Sequence, residues 1–252
     1  MSGNALKGEG PENVMPYGGE ESKTGQVRGM FDSIARRYDL MNAVMTFGLY
    51  RRWRDKIFNR HLSLPESPKI LDIATGTGDL AIKAAEVIPN AEITGIDLSE
   101  GMLSVAREKV GRKGIKDVEF LQADCLHLPF GDEVFDVITV AYGVRNFESL
   151  LAGYKEMFRV LKPGGKLFVI ELSCPENRIL RAGYNLYSKG LIPIVGNLVS
   201  GDSRAYSYLP ESIAACPQRE DMCALMRKAG FSGTSFRTMT FGVVSLYEAS
   251  RI

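Results

Sequence analysis

From Lys69 onward the chain alternates between two hydrophobic periods. Short runs of β-branched and aliphatic residues are separated by stretches whose apolar positions fall three and four apart, the patterns of buried strands and amphipathic helices. The runs predict strands near residues 69–75, 92–97, 118–123, 135–141 and 166–173, with helices near 79–88, 100–111 and 149–161. This βαβα order describes an α/β domain, a mostly parallel sheet with helices on both faces. Lys162-Pro163-Gly164-Gly165 separates the last of these helices from its strand, since proline stops a helix and glycine supplies a turn. A further helix near 218–229 ends at Gly230, and two closing strands near 234–240 and 243–250 meet at Phe241-Gly242. So tight a connection joins antiparallel neighbours, whereas a parallel pair needs a crossover.

Three stretches stand outside the alternation. Residues 1–22 are rich in Gly, Pro, Glu and Asn without periodicity, which predicts a flexible leader. From 23 to 62, Val27, Met30, Phe31, Ile34, Tyr38, Met41, Met45 and Leu49 recur at helical spacing. This N-terminal helical segment precedes the sheet and is expected to cover the mouth of a site. Between 175 and 216 the pattern lapses into Tyr, Leu, Ile, Gly and Pro, which reads as a helical cap insertion. Residues 23–252 thus form a single domain.

The 31 basic and 30 acidic residues leave a net charge of +1, which excludes broad nucleic-acid binding through charge alone. Cys125, Cys174, Cys216 and Cys223 are widely spaced with no C-x-x-C pair, as expected of reduced thiols in a cytosolic protein. His61 and His127 are isolated, so no metal site is expected. No apolar run approaches the roughly eighteen residues of a membrane span, and the first residues lack the apolar core of a secretory signal. The expected location is cytoplasmic, with peripheral contact at the inner membrane face and self-association both open.

The chemistry starts at Lys69-Ile70-Leu71-Asp72-Ile73-Ala74-Thr75-Gly76-Thr77-Gly78-Asp79, a buried strand breaking into a glycine turn that opens a helix. Gly76 and Gly78 lack a Cβ, so backbone and ligand can come close. A second run ends at Asp97, about twenty residues beyond the turn, where a carboxylate can accept from both ribose hydroxyls. The pattern points to a nucleoside cofactor without choosing one. Gly76-x-Gly78-x-x-Ala81 also satisfies the loose dinucleotide fingerprint, so NAD and S-adenosylmethionine (SAM) both remain open on these residues, with a purely structural turn as the plain alternative. The closing hairpin favours SAM.

Two longer stretches carry a resemblance. Tyr38–Trp53 (YDLMNAVMTFGLYRRW) and Arg159–Ser173 (RVLKPGGKLFVIELS) resemble the two signatures of the ubiquinone and menaquinone biosynthesis C-methyltransferases. Gly143-Val144-Arg145-Asn146, Tyr208-Leu209-Pro210-Glu211-Ser212 and Phe241-Gly242-Val243-Val244 add to it, and the likeness runs from about Gln26 to Glu248. Thr46 and Tyr50 replace the usual serine and histidine, and Ala141 stands where many relatives place a cofactor-contacting serine.

The resemblance implies a class I, Rossmann-like methyltransferase that uses SAM and no metal. It would methylate a ring carbon of a polyprenyl quinol, demethylmenaquinol to menaquinol first and a ubiquinone-pathway benzoquinol second. By the same resemblance Thr77, Asp97, Asp124 and Cys125 bind SAM, with Gly76 and Gly78 providing room. Asp124 could instead cap the turn before Leu126-His127-Leu128-Pro129. Arg145 and Asn146, and more weakly Tyr142, would act on the quinol oxygen, against the alternative that Arg145 forms a salt bridge with Asp39 or Glu148. Tyr38, Asp39, Met41 and Asn42 would line the ring pocket, although Tyr38 and Met41 could simply pack the helix on the sheet. Glu171 ends its strand at the site, as a site residue, a cap or an ion-pair partner. Outside this class stand an NAD(P)-dependent oxidoreductase and an inactive scaffold in a quinone-making complex.

Overall fold

The computed structural model describes residues 10–58, 64–191 and 203–252; His61 and parts of the expected leader and cap lie outside them. Five parallel strands, β1 (Lys69–Ile73), β2 (Glu92–Asp97), β3 (Val118–Gln122), β4 (Phe135–Ala141) and β5 (Leu161–Leu172), join β6 (Ser232–Met239) and β7 (Val244–Ser250) in one sheet. The order is β3-β2-β1-β4-β5-β7-β6, and β7 runs antiparallel to both its neighbours. The closing hairpin is therefore as the sequence predicts.

Successive residues of the central strands point to opposite faces, and both faces are dry. Leu71, Ile138 and Val169 enter one apolar cluster, while Ile70, Val137 and Phe168 enter the other. Helices α4 (Asp79–Val87), α5 (Glu100–Lys113) and α6 (Leu150–Val160) make the crossovers. Ahead of the sheet lie α1 (Lys23–Ile34), α2 (Tyr38–Met45) and α3 (Leu49–Asp55). After β5 come α7 (Arg178–Leu186), a π-helical turn (Tyr187–Leu191), α8 (Ser203–Ala215) and α9 (Glu220–Lys228).

Two expectations change. Lys162–Gly165 is not a linker between helix and strand, because β5 starts at Leu161 directly after α6. Phe135 pairs with Leu161 and Val137 with Lys166, so the Pro-Gly-Gly stretch bulges out of the strand, with Gly164 left-handed at φ +81°. The helix end is capped from elsewhere: Arg251 Nη1 donates to the carbonyls of Phe158, Arg159 and Leu161.

The second change concerns the leader. Residues 10–22 pack on the body: Pro11 is buried, Glu12 accepts from Leu150 N at 2.8 Å, and Arg204 donates to Pro16 O at 2.7 Å. Lys23, 2% exposed, bridges Pro11 O and Arg145 O, and burial draws its ammonium down to about 8. Composition hides these ties, because each is a single polar contact with a distant backbone group.

A chain lacking residues 1–13 leaves Lys23 Nζ and Leu150 N–H short of acceptors. The expected loss is about 2 kcal/mol of unfolding free energy, read by chemical denaturation; unchanged stability would mean that the leader contributes nothing to the fold.

Candidate active site

The crevice lies at the carboxyl ends of β1, β2 and β4, where the strand order reverses direction. As the chain leaves β1, Ala74, Gly76 and Gly78 adopt left-handed conformations, at φ +52°, +56° and +77°. Asp72, buried beneath this turn, fixes it by accepting from Thr75 Oγ1 at 2.5 Å and Thr139 Oγ1 at 2.7 Å. Burial pushes the Asp72 carboxyl up to about 6, against the pull of those two hydroxyls.

The two glycines do different jobs. A Cβ on Gly78 would sit 2.8 Å from Ala106 Cβ and Phe120 Cζ, so Gly78 permits close packing of the turn on the fold. A Cβ on Gly76 would meet only open space. That space adjoins Asp97, whose Oδ2 accepts from Gly76 N at 2.8 Å and whose Oδ1 accepts from Ser99 N at 2.9 Å. Burial raises the Asp97 carboxyl to about 6 even with these donors. An open cradle beside a desolvated carboxylate fits a ribose, and the same cleft is lined by Asp124, Cys125 and Ala141. Asp124 Oδ1 also caps Leu126 N at 2.9 Å, and burial holds the Cys125 thiol well above its usual value.

Thr77 and Asp39 meet each other at the wall of a smaller cleft that Gly76, Asn42 and Tyr142 also line. Thr77 Oγ1 donates to Asp39 Oδ1 at 2.6 Å and accepts from Lys109 Nζ at 2.9 Å. Lys109 also pairs with Asp39 and with Asp79, the latter at 2.7 Å, and Arg54 holds the other oxygen of Asp79 at 2.8 Å. Asp39 is therefore not a wall of the ring pocket as expected. It lies off the α2 face formed by Tyr38, Met41, Asn42 and Met45, which recur at helical spacing and do line that pocket.

That pocket is an apolar cavity of about 290 Å³ enclosed by α1, α2 and α3 on one side and the cap helices on the other. Tyr38, Tyr142 and Asn146 line both this cavity and the Asp97 cleft, so the two spaces meet at those side chains. Tyr142 N extends the sheet by donating to Ile170 O at 2.8 Å, and the chain then turns left-handed at φ +59°. This strained exit sends Val144–Asn146 into a short helical turn under the cap.

Arg145 finds neither of the partners weighed for it. Its Nη1 donates to Glu171 Oε1 at 2.8 Å, and Glu171 is 1% exposed. Burial, the largest single influence, would depress the guanidinium, but the Glu171 charge, the Tyr38 and Tyr208 hydroxyls and the hydrogen bond to Glu171 together raise the group above its ordinary value. Arg145 Nε is buried without a hydrogen-bond partner, and the residue is part of the cavity lining. Asn146 Oδ1 accepts from Tyr208 Oη at 3.1 Å. Tyr50, in the place of the usual histidine, is buried, with its N–H on Thr46 Oγ1 at 3.3 Å and its ring under Arg54.

Sequence reasoning misses Lys109, which sits unremarkably in a charged helix, and Asp32, which accepts from Ser99 Oγ at 2.6 Å and ties α1 to the start of α5. It also misses Tyr184, Tyr187 and Tyr208 as cavity lining, although the four tyrosines of the insertion are a visible signal. Among the described residues, no group of three or more His, Cys, Asp or Glu is placed to hold a metal ion, and no helix is long and apolar enough to cross a membrane.

The sequence profile of the ubiE/COQ5 methyltransferase family matches residues 19–251. Demethylmenaquinone methyltransferase of Bacteroides fragilis is 44% identical over 241 residues, covering 95% of this chain and 98% of that protein. Ubiquinone/menaquinone biosynthesis C-methyltransferase UbiE of Shewanella pealeana is 41% identical over 230 residues, covering 90% and 91%. Among solved structures, a SAM-dependent methyltransferase of Aquifex aeolicus is similar with a TM-score of 0.59 at 20% identity, over 79% of this chain and 89% of that one. The fold is the class I, Rossmann-like fold of SAM-dependent methyltransferases, and the family match removes the oxidoreductase alternative.

Asp97 gives a pH test. Ribose hydroxyls donate to the ionised carboxylate, so SAM affinity is expected to fall about ten-fold per pH unit below about 6. The folded-state pKa values of Asp72 and Asp97 lie above those of the unfolded chain, so the folded state holds more protons between about pH 4 and 6. These two groups therefore add stability as the pH falls through that window, while affinity declines. Calorimetric titration beside thermal melts would show the opposite trends; SAM affinity flat from pH 7 to 5 would remove Asp97 from the site.

Proposed function

The chain belongs to the ubiE/COQ5 methyltransferase family, and on that footing we propose that it methylates a ring carbon of demethylmenaquinol with SAM as donor. The observation that carries this reading is an apolar cavity beside the Asp97 cleft, the two sharing Phe31, Tyr38, Tyr142 and Asn146 as lining. A flat aromatic ring with a long apolar tail suits the first space, and a nucleoside suits the second. The relative from Bacteroides fragilis supports the naphthoquinol, and the Shewanella relative keeps a ubiquinone-pathway benzoquinol as the second reading.

Asp97 would take the ribose, Asp124 and Cys125 the adenine side, and Gly76 the space between. Because the Thr77 hydroxyl is held by Asp39 and Lys109, its backbone N–H is the group left for the methionyl carboxylate. The donor, when bound, supplies an electrophilic methyl group on a cationic sulfur. A quinol carbon becomes nucleophilic as the adjacent hydroxyl gives up its proton. Arg145 would favour that phenolate: Glu171 balances its charge from within the protein, and the guanidinium belongs to a residue that lines the cavity. Opposite charges are consumed as the methyl moves, which an apolar enclosure favours over water. The ring proton then leaves to restore aromaticity.

The rim of the cavity supports peripheral contact with a membrane. Phe47, which lines the cavity, and Phe241 and Leu186, next in sequence to the lining residues Thr240 and Tyr187, are 83%, 80% and 78% exposed, apolar surface suited to a lipid contact.

Purified protein with SAM and a short-chain demethylmenaquinone is expected to give a product heavier by one methylene in mass spectrometry, only after chemical reduction to the quinol. A product from the unreduced quinone would rule out ring nucleophilicity as the driving feature, and no product from either would move the substrate to another acceptor.

Arg145→Ala is expected to cut turnover and to lower stability by about 3–5 kcal/mol, because Glu171 is left buried without a partner. Arg145→Met combined with Glu171→Met should regain most of that stability while turnover stays at the level of the single variant. Single-turnover rates and denaturation midpoints read the two effects; recovered turnover in the double variant would reduce Arg145 to a structural role.

A further inference from the structure

We infer that Tyr208, on the cap helix α8, is a positioning residue that turns the amide of Asn146 so that its N–H groups face the acceptor oxygen. The inference rests on the quinol reading above and adds a residue from outside the sheet to the catalytic geometry. Tyr208 is 2% exposed and its Oη lies 3.1 Å from Asn146 Oδ1. Asn146 makes no other side-chain hydrogen bond among the described residues. Its backbone is fixed independently, with its N–H on Gly143 O at 3.0 Å. One contact therefore decides which edge of the amide faces the junction of the two spaces that Asn146 lines.

The direction of that contact follows from the neighbouring charge. A tyrosine hydroxyl can donate to Oδ1 or accept from Nδ2. Of the two side-chain charges of the Arg145–Glu171 ion pair, the Arg145 cation acts on the Tyr208 hydroxyl more strongly than the Glu171 anion, and a cation attracts the hydroxyl oxygen and turns its hydrogen away. That hydrogen then goes to Oδ1. Burial pushes the Tyr208 hydroxyl well above its usual value, so it keeps its proton at any working pH. An amide is planar, so binding Oδ1 on one side leaves both Nδ2 donors on the other. Donors there stabilise a phenolate; the flipped amide would set a carbonyl oxygen against it. Since Tyr208 belongs to the cap, Asn146 is correctly turned only while α8 is seated.

The test is a double-variant cycle on the full chain, measuring methyl transfer to the reduced short-chain demethylmenaquinone. Tyr208→Phe is expected to lower kcat about ten-fold, with quinol KM and SAM affinity changed less than two-fold. In an Asn146→Ala background the same change should have no further effect. Denaturation of the four proteins checks the bond itself, whose coupling should vanish once either partner is gone. An equal fall of kcat in both backgrounds would overturn the inference, as would a rise in KM at unchanged kcat, which marks a mere cavity wall. A faster Tyr208→Phe variant would mean that the hydroxyl holds Nδ2 instead, also overturning it. A wild-type protein that does not methylate the quinol fails the substrate reading, and the inference goes with it; the outcomes above arise only when that activity is present.

Discussion

A guanidinium can border an apolar cavity only where its charge is balanced, and Glu171 balances Arg145 at 2.8 Å. The requirement shapes the surroundings of the site. Glu171 closes β5 with an inward carboxylate, and the left-handed residue Tyr142 redirects the chain after β4 so that Arg145 can reach it. The turn that carries Arg145 is held from outside by Lys23, which in turn fastens the leader through Pro11. Removing either charge would strand the other away from water. The pair therefore belongs to the fold and to the site together, and its retention in an otherwise dry region is what chemistry on an oxygen anion requires.

Much of the scaffold was legible because its signals are local. The β1, β4 and β5 runs are apolar on both faces, which a doubly covered sheet explains, and Phe241-Gly242 marks a hairpin at short range. Legibility failed where long-range contacts override a local preference. Lys162-Pro163-Gly164-Gly165 has every mark of a linker, yet Phe135 pairs with Leu161 and draws the strand back to the helix end, leaving a bulge. The leader has the composition of a free segment and is tied down by contacts to Leu150, Lys23 and Arg204.

The site divides the same way. Gly76 and Asp97 were legible because ligand geometry fixes their spacing, and the structure joins them at 2.8 Å. Gly78 is spaced as well but serves packing, which spacing cannot distinguish. Asp39 matches the expected signature, yet its helical phase turns it to Thr77 and Lys109, away from the cavity. The partner of Arg145 was open in the sequence between Asp39 and Glu148, because the curl of the chain after Tyr142 has no sequence mark.

The two spaces are mechanically linked through the N-terminal helices. Asp32 anchors α1 to Ser99 and Gly101, directly after the Asp97 carboxylate, and Asp39 anchors α2 to Thr77 in the glycine turn. The helices that roof the acceptor cavity are thus pinned to the two turns that would hold the donor. Tyr187 and Tyr208 reach from the cap to Met45 O and Asn146, closing the opposite wall. The acceptor pocket is consequently assembled from segments with polar ties to the donor turns and to the Arg145 turn. A ring bound there is positioned by the elements that position the methyl donor, and alignment of the two reacting centres follows from their shared supports.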